Sequence, residues 1–189
     1  MKTVAIRLTG VSPLLMHRFG EQAEADVQSQ VRRVQRAERL PRDAAEAVAY
    51  CLPTGELYLP STMLQRAFVE AASDFKQRGK RQSMKYAAGA AFLIDGDVLT
   101  FDPPLRDFEV DSRPVVIPAT KGRVMRHRPR LDAWAISTRA LVDETLVPLD
   151  LVLEILNHAG RIKGLGDFRP QKGGPFGRFQ VTYFEDAVG

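Results

Sequence analysis

Cysteine is almost missing from this chain: Cys51 is the only one in 189 residues. An internal disulfide is excluded, and a reducing compartment is expected. Long apolar runs are missing as well. None reaches the roughly 18 residues of a membrane helix. The first residues lack the basic-then-apolar layout of a secretory signal. The expectation is a cytoplasmic chain with no membrane partner. Histidine is scarce: His17, His127 and His158 share no metal spacing with one another or with Cys51. No metal or other cofactor is therefore expected. Repeats and low-complexity linkers are also absent.

What is present fits one domain over residues 1–189, with a hydrophobic content of 44%. The net charge of +4 and pI near 9.4 lean towards polyanions. The positions of the charges say more. Arg32, Arg33, Arg36, Arg39 and Arg42 are diluted by Glu38 and Asp43. Lys76, Arg78, Lys80, Arg81 and Lys85 have no acid among them, nor do Lys121, Arg123, Arg126, His127, Arg128 and Arg130. Solubility alone favours mixed signs, so acid-free runs point to a phosphate backbone.

A further basic segment is the glycine-rich run from Gly164 to Phe179. Gly164, Gly166, Gly173 and Gly174 let backbone amides approach where a side chain would clash. Lys163, Arg169, Lys172 and Arg178 supply charge, interleaved with Phe168, Phe176 and Phe179. Cations for phosphates and flat rings for bases suit single-stranded nucleic acid. Phe168 and Phe176 are the candidate stacking residues, whereas Phe179 reads as core. His17 and Arg18, after the apolar run Leu14-Leu15-Met16, are further candidates for phosphate contact.

Hydrophobic periodicity gives the element order. Residues 3–10 alternate as a first strand. Residues 21–50, polar except for helically spaced Val27, Val31 and Val34, read as a helical insertion that Pro41 interrupts. Residues 56–59 are strand-like. Pro60 and Ser61 open a helix with capping-box spacing at Thr62 and Gln65, followed by the stripe Leu64, Phe68 and Ala71. Strands are expected at 91–94 and 98–101 about an Asp95-Gly96-Asp97 turn, and at 131–142. Pro148 opens a helix that Gly160 is placed to end, and the last strand covers about 178–184. Residues 76–90 and 111–130 are expected as basic loop insertions. The resulting βαββαβ order predicts an α+β, ferredoxin-like (RRM-like) core with one open sheet face. That fold serves many functions and assigns none.

Two motifs then carry a resemblance. Gly55-Glu56-Leu57-Tyr58-Leu59-Pro60-Ser61-Thr62-Met63-Leu64-Gln65-Arg66-Ala67 resembles the Gly-x-hydrophobic-Tyr-Ile-Pro-Gly-Ser-Ser-Leu-Lys-Gly start of the first helix in the RAMP superfamily. Those are the repeat-associated proteins of CRISPR effector complexes. The glycine-rich run before the last strand resembles that superfamily's C-terminal glycine-rich loop. A long insertion after the first strand is similar to the thumb of the backbone subunits. Small RAMP-like proteins of phages and prophages share this layout. The chain departs from the pattern at Ser61 and Ala67, where the family has glycine, and is shorter than most backbone subunits. The resemblance implies guide-RNA binding, head-to-tail stacking of copies, and contact with other effector subunits.

Catalysis is not expected. Some RAMP backbone subunits cleave RNA with an Asp after the first strand; Asp26 is the nearest candidate, and Glu21 and Glu24 give it a solvated helical setting. The reading is therefore a non-catalytic single-stranded nucleic-acid-binding protein, RNA favoured over DNA, assembling in several copies along a strand. Alternatives are a phage single-stranded DNA-binding or annealing protein, an adaptor or structural protein, and a metal-dependent ribonuclease subunit using Asp26.

Overall fold

The computed structural model describes residues 1–18, 40–116 and 121–187. The elements run β1 (Lys2–Gly10), β2 (Leu14–Leu15), α1 (Pro41–Glu46), β3 (Tyr58–Pro60) and α2 (Ser61–Ala71). Then come α3 (Lys85–Ala91), β4 (Phe92–Ile94), β5 (Val98–Thr100), β6 (Glu109–Val116) and β7 (Arg123–Leu131). The chain closes with β8 (Ala135–Val142), α4 (Leu149–Ile162) and β9 (Phe179–Asp186). The described part is thus mixed α+β with antiparallel sheets and four α-helices. Among the described residues no helix is long and apolar enough to cross a membrane.

The main sheet has strand order β4-β8-β1-β9, and every neighbouring pair is antiparallel. Alternation along β1 sends Val4, Ile6 and Leu8 to one face, where Ile136, Ala140 and Val142 of β8 join them. Helices α2 and α4 cover that face with Leu64, Phe68, Ala71, Val152, Ile155, Leu156 and Ala159. The helical spacing of those apolar residues is what lets two helices lie on one sheet. The opposite face carries Arg7, Ser137, Arg139 and Tyr183, and among the described residues no helix covers it.

Local expectations met several differences. Thr62 and Gln65 form no capping box, and no side chain caps α2. Instead Gln65 reaches the short edge strand β4. Its amide nitrogen donates to the Phe92 carbonyl at 2.6 Å, and its amide oxygen accepts from Ile94 N–H at 3.4 Å. Pro41 opens α1, where its missing N–H costs nothing at the first helical position. The rest of the expected insertion, residues 21–39 with Asp26, Arg32, Arg33, Arg36 and Arg39, lies outside the described residues. Segments 91–94 and 98–101 flank the expected turn, with Gly96 at φ 83°, but they do not pair with each other. β4 joins the main sheet, while β5 pairs with β3.

Two segments expected as loops carry regular elements. Residues 111–130 belong largely to the β6–β7 ribbon, in register from Glu109↔Arg130 to Val116↔Arg123. Its base is extended by β2 through Leu14↔Leu131 and Leu15↔Arg130. The expected strand over 131–142 is therefore two strands, with a break before Ala135. Segment 76–90 begins as a closed turn and continues into α3.

Gly160 does not end α4; it lies inside the helix, which continues to Ile162. A Cβ added there would overlap the Phe179 carbonyl, so glycine is what lets α4 touch β9. Gly160→Ala is expected to destabilise the fold by about 1–3 kcal/mol, the scale of overpacking in a filled core. Urea denaturation is the measurement. An unchanged midpoint would show that α4 and β9 separate without cost.

Candidate nucleic-acid interface

The turn after α4 is where the glycine-rich run takes shape. Gly164 follows the helix with φ 69°, and a short 3-10 turn spans Pro170–Lys172. The loop folds tightly on itself and on β2. A Cβ at Gly166 would meet the Leu15 carbonyl, and one at Gly174 would meet the Phe168 carbonyl. Asp167 N–H donates to the Leu15 carbonyl at 2.8 Å, and Gly177 N–H to the Pro13 carbonyl at 2.8 Å. Gly164 is likewise closed in by Pro170 and the Gly177 carbonyl. The expectation that these three glycines open the backbone to phosphate is corrected: they admit the chain's own carbonyls. Gly173 alone of the four candidates stands clear of neighbours.

An ion-pair ladder fixes this loop to the β6–β7 ribbon. Arg128 on β7 is 4% exposed and donates to Asp167 of the loop at 2.8 Å. Its other terminal nitrogen reaches Asp111 of β6 at 3.4 Å. Asp111 also accepts from Arg113 at 2.7 Å, and the Arg113 guanidinium lies over the Phe176 ring, 4.6 Å from its centroid. Phe176 is buried, and Phe168 packs beside it at 6.1 Å between centroids. Two expectations are thus corrected. Arg128 is an internal tie and not a phosphate ligand, because two carboxylates enclose it. Phe176 is covered by Arg113 and offers no free ring face. Phe168, at φ 47°, is half-buried in the same cluster.

His17 lies next to this ladder. Its Nδ1 is buried without a hydrogen-bond partner among the described residues. Burial pushes the imidazole below its usual range; nearby Asp167 opposes this, and Arg126 and Arg128 reinforce it. His17 is therefore neutral near pH 7 and is not a cation for phosphate. Arg18 follows it, half-buried, with its N–H donating to the Val48 carbonyl.

The two motifs that prompted the resemblance meet across one cleft of about 280 Å³. From α2 and its approach come Pro60, Thr62, Met63, Arg66, Ala67 and Glu70; from the loop come Gly164, Leu165, Gly166, Arg169 and Gln171; Tyr50 completes it. Burial, and next the adjacent Tyr58, raise the Tyr50 phenol above its usual range, so it stays protonated. Gln171 donates to Glu70, which joins helix and loop across the cleft. Arg66 stands 78% exposed beside Glu70, at 3.6 Å. Arg169 holds the Gly166 carbonyl at 3.0 Å and Gln171 at 3.0 Å. Lys163 is half-buried at the end of α4, and Lys172 is exposed on the short turn. Sequence reading missed Tyr50, Arg66, Glu70 and Gln171. The available signal was the i, i+4 placement of Arg66 and Glu70 on the polar side of α2.

The other candidate cations lie elsewhere. Lys121 and Arg123 are exposed at the far end of the β6–β7 ribbon, and Arg126 is half-buried along it. Arg130 pairs with Asp132 at 2.5 Å. His127 bonds Ser112 at 2.7 Å. Lys76, Arg78, Lys80 and Arg81 are exposed on the closed turn. His158 contacts Asp74 at 3.0 Å. On the open sheet face a recess of about 600 Å³ mixes Arg7 and Arg139 with Asp95, and Arg7 is held by Asp102. That recess has no surplus of positive charge. Among the described residues no group of three or more His, Cys, Asp or Glu is placed to hold a metal ion.

No family model matches the chain, and no curated protein matches it. A solved structure does. A chain of the Type III-B Cmr-beta complex, determined by cryo-EM bound to cognate target RNA, has a TM-score of 0.52 and 10% identity. The likeness covers 99% of this chain and 61% of that one, so this chain spans under two thirds of its neighbour. At that identity what is shared is the fold.

The ladder has a measurable consequence. Arg128→Ala leaves Asp167 without its arginine and Asp111 with Arg113 alone, which is expected to cost about 1–3 kcal/mol. The Asp167 carboxyl is subject first to burial, which raises its pKa. The Arg128 hydrogen bond, the Phe168 N–H and the Arg128 and His17 charges outweigh this and hold it below the usual carboxylate value. A carboxylate lowered by folding contributes above its unfolded pKa of about 4, and that contribution is lost as pH falls through the folded value. Urea denaturation at pH 7 and pH 3 should therefore show a smaller acid loss in Arg128→Ala than in the wild type. Equal acid losses would refute the tie.

Proposed function

We infer that the protein binds single-stranded nucleic acid, RNA in preference to DNA, without cleaving it, as a RAMP-type subunit. The observation that carries this is the cleft in which α2 and the glycine-rich loop meet, lined by Arg66 and Arg169, with Lys172 exposed on the neighbouring short turn. Further support comes from the strand order β4-β8-β1-β9, with α2 and α4 on one face, which suits a ferredoxin-like core. The fold likeness to a chain of an RNA-bound Cmr-beta complex points the same way. Exposed cations on the ribbon end and on the turn at 76–81 extend the positive surface beyond the cleft. Contacts of this kind neutralise phosphates and carry no base identity.

Fluorescence anisotropy with labelled 30-nucleotide strands tests the reading. Single-stranded RNA should bind more tightly than duplex. Log affinity should fall with log salt at about −0.7 per phosphate contacted. Arg66→Ala and Lys172→Ala should each flatten that slope by about 0.7 while leaving the fold intact. The RNA should be recovered whole with magnesium present, and Asp26→Ala should behave as wild type. Cleavage that vanishes in Asp26→Ala would replace this reading with a ribonuclease. Tighter binding to DNA would favour the phage single-stranded DNA reading.

The subunit is proposed to act in several copies, head to tail, alongside other effector subunits. One small domain covers roughly 4–16 nucleotides on comparable single-strand binders. A heterologous contact extends into a filament whose length follows the strand. Mass photometry with strands of increasing length should show stepwise addition of subunits. A fixed one-to-one complex at every length would refute assembly along the strand.

A further inference from the structure

Tyr86 is 77% exposed, the most exposed aromatic ring among the described residues. It sits one residue into α3, and its neighbours one turn on are Gly89 and Ala90. Residues three and four apart share a helix face, so neither neighbour has a side chain able to cover the ring. Directly before it stands the closed turn. Met84 N–H donates to the Phe75 carbonyl at 2.8 Å, Gln77 N–H to the Gln82 carbonyl at 2.9 Å, and Lys76 bridges Ser83. Met84 is buried and Phe75 packs against the core, so the turn is anchored at its foot. Lys76, Arg78, Lys80, Arg81 and Lys85 are all exposed on it or at its edge, and no acidic residue falls between Phe75 and Ile94.

We propose that Tyr86 is a base-stacking platform and that the turn at 76–85 is its phosphate-binding rim, together a second contact for single-stranded RNA outside the cleft. The proposal rests on the RNA-binding reading above. A bare aromatic ring beside uncompensated cations matches a ligand that alternates flat bases with negative charge. An acidic protein segment would satisfy the cations but leave the ring unused. Position favours a continuous path. α3 meets α2 where Gly89 lies against Val69, and the cleft residues Thr62, Arg66 and Glu70 lie on the adjoining side of α2. A strand leaving the cleft over Arg66 therefore comes to α3 next.

The test uses the full chain, a fluorescein-labelled 30-nucleotide oligo(U) strand and polyglutamate as the competing polyanion. Tyr86→Ala should weaken oligo(U) binding about tenfold with an unchanged salt slope, since stacking involves no counterion. Tyr86→Trp should retain wild-type affinity, and its tryptophan emission should be quenched as oligo(U) is added; buried Trp134 in the wild type should not respond. Wild-type affinity in Tyr86→Ala, with binding otherwise intact, would overturn the platform and leave the RNA-binding reading standing. Polyglutamate bound as tightly as oligo(U) and quenching Tyr86→Trp equally would overturn it in favour of an acidic protein partner. Absence of oligo(U) binding by the wild type would overturn both readings.

Discussion

The Arg128 guanidinium is the point on which the cleft end of the molecule turns. It is buried between Asp111 of β6 and Asp167 of the glycine-rich loop. A buried charge is tolerable only when paired and hydrogen-bonded, so the two carboxylates and the arginine require one another. The consequence is geometric. The loop after α4 and the ribbon β6–β7 come from distant parts of the chain, yet they are fixed in one arrangement. Arg113, bonded to Asp111 and lying over Phe176, extends the same tie into the aromatic pair beneath the loop.

That constraint divides labour among the basic residues. Cations near the ladder serve the fold, whereas those farther out face solvent. Arg128 and Arg130 answer carboxylates on the protein; Lys76, Arg78, Lys80, Arg81, Lys121, Arg123 and Lys172 are exposed. The glycines divide in the same way. Gly166 and Gly174 admit the chain's own carbonyls, and the outcome is a firm wall to the cleft rather than a mobile loop wrapped on a phosphate.

Much of the fold was legible. Alternation at Val4, Ile6 and Leu8 located β1, and the spacing of Leu64, Phe68 and Ala71 located the buried stripe of α2. Each of those signals is local and periodic. Where the reading failed, a distant partner had intervened. Gln65 looked like half of a capping box but bonds β4, and the strands around Gly96 looked like a hairpin but enter separate sheets. The 111–130 segment looked like a basic loop because β6 and β7 are rich in charged residues and pair mainly with each other, and β2, which extends the ribbon, is two residues long.

By itself the sequence determined the α+β class, the positions of the main core strands and helices, and the presence of two motifs flanking that core. It did so because hydrophobic period and turn chemistry are properties of neighbouring residues. Only the tertiary structure decided that those motifs line one cleft with Tyr50, that Arg128 and Phe176 are enclosed, and that Tyr86 stands bare beside the cations at 76–85. Whether a charge or a ring is free depends on what the rest of the chain brings against it. No spacing along the sequence records that.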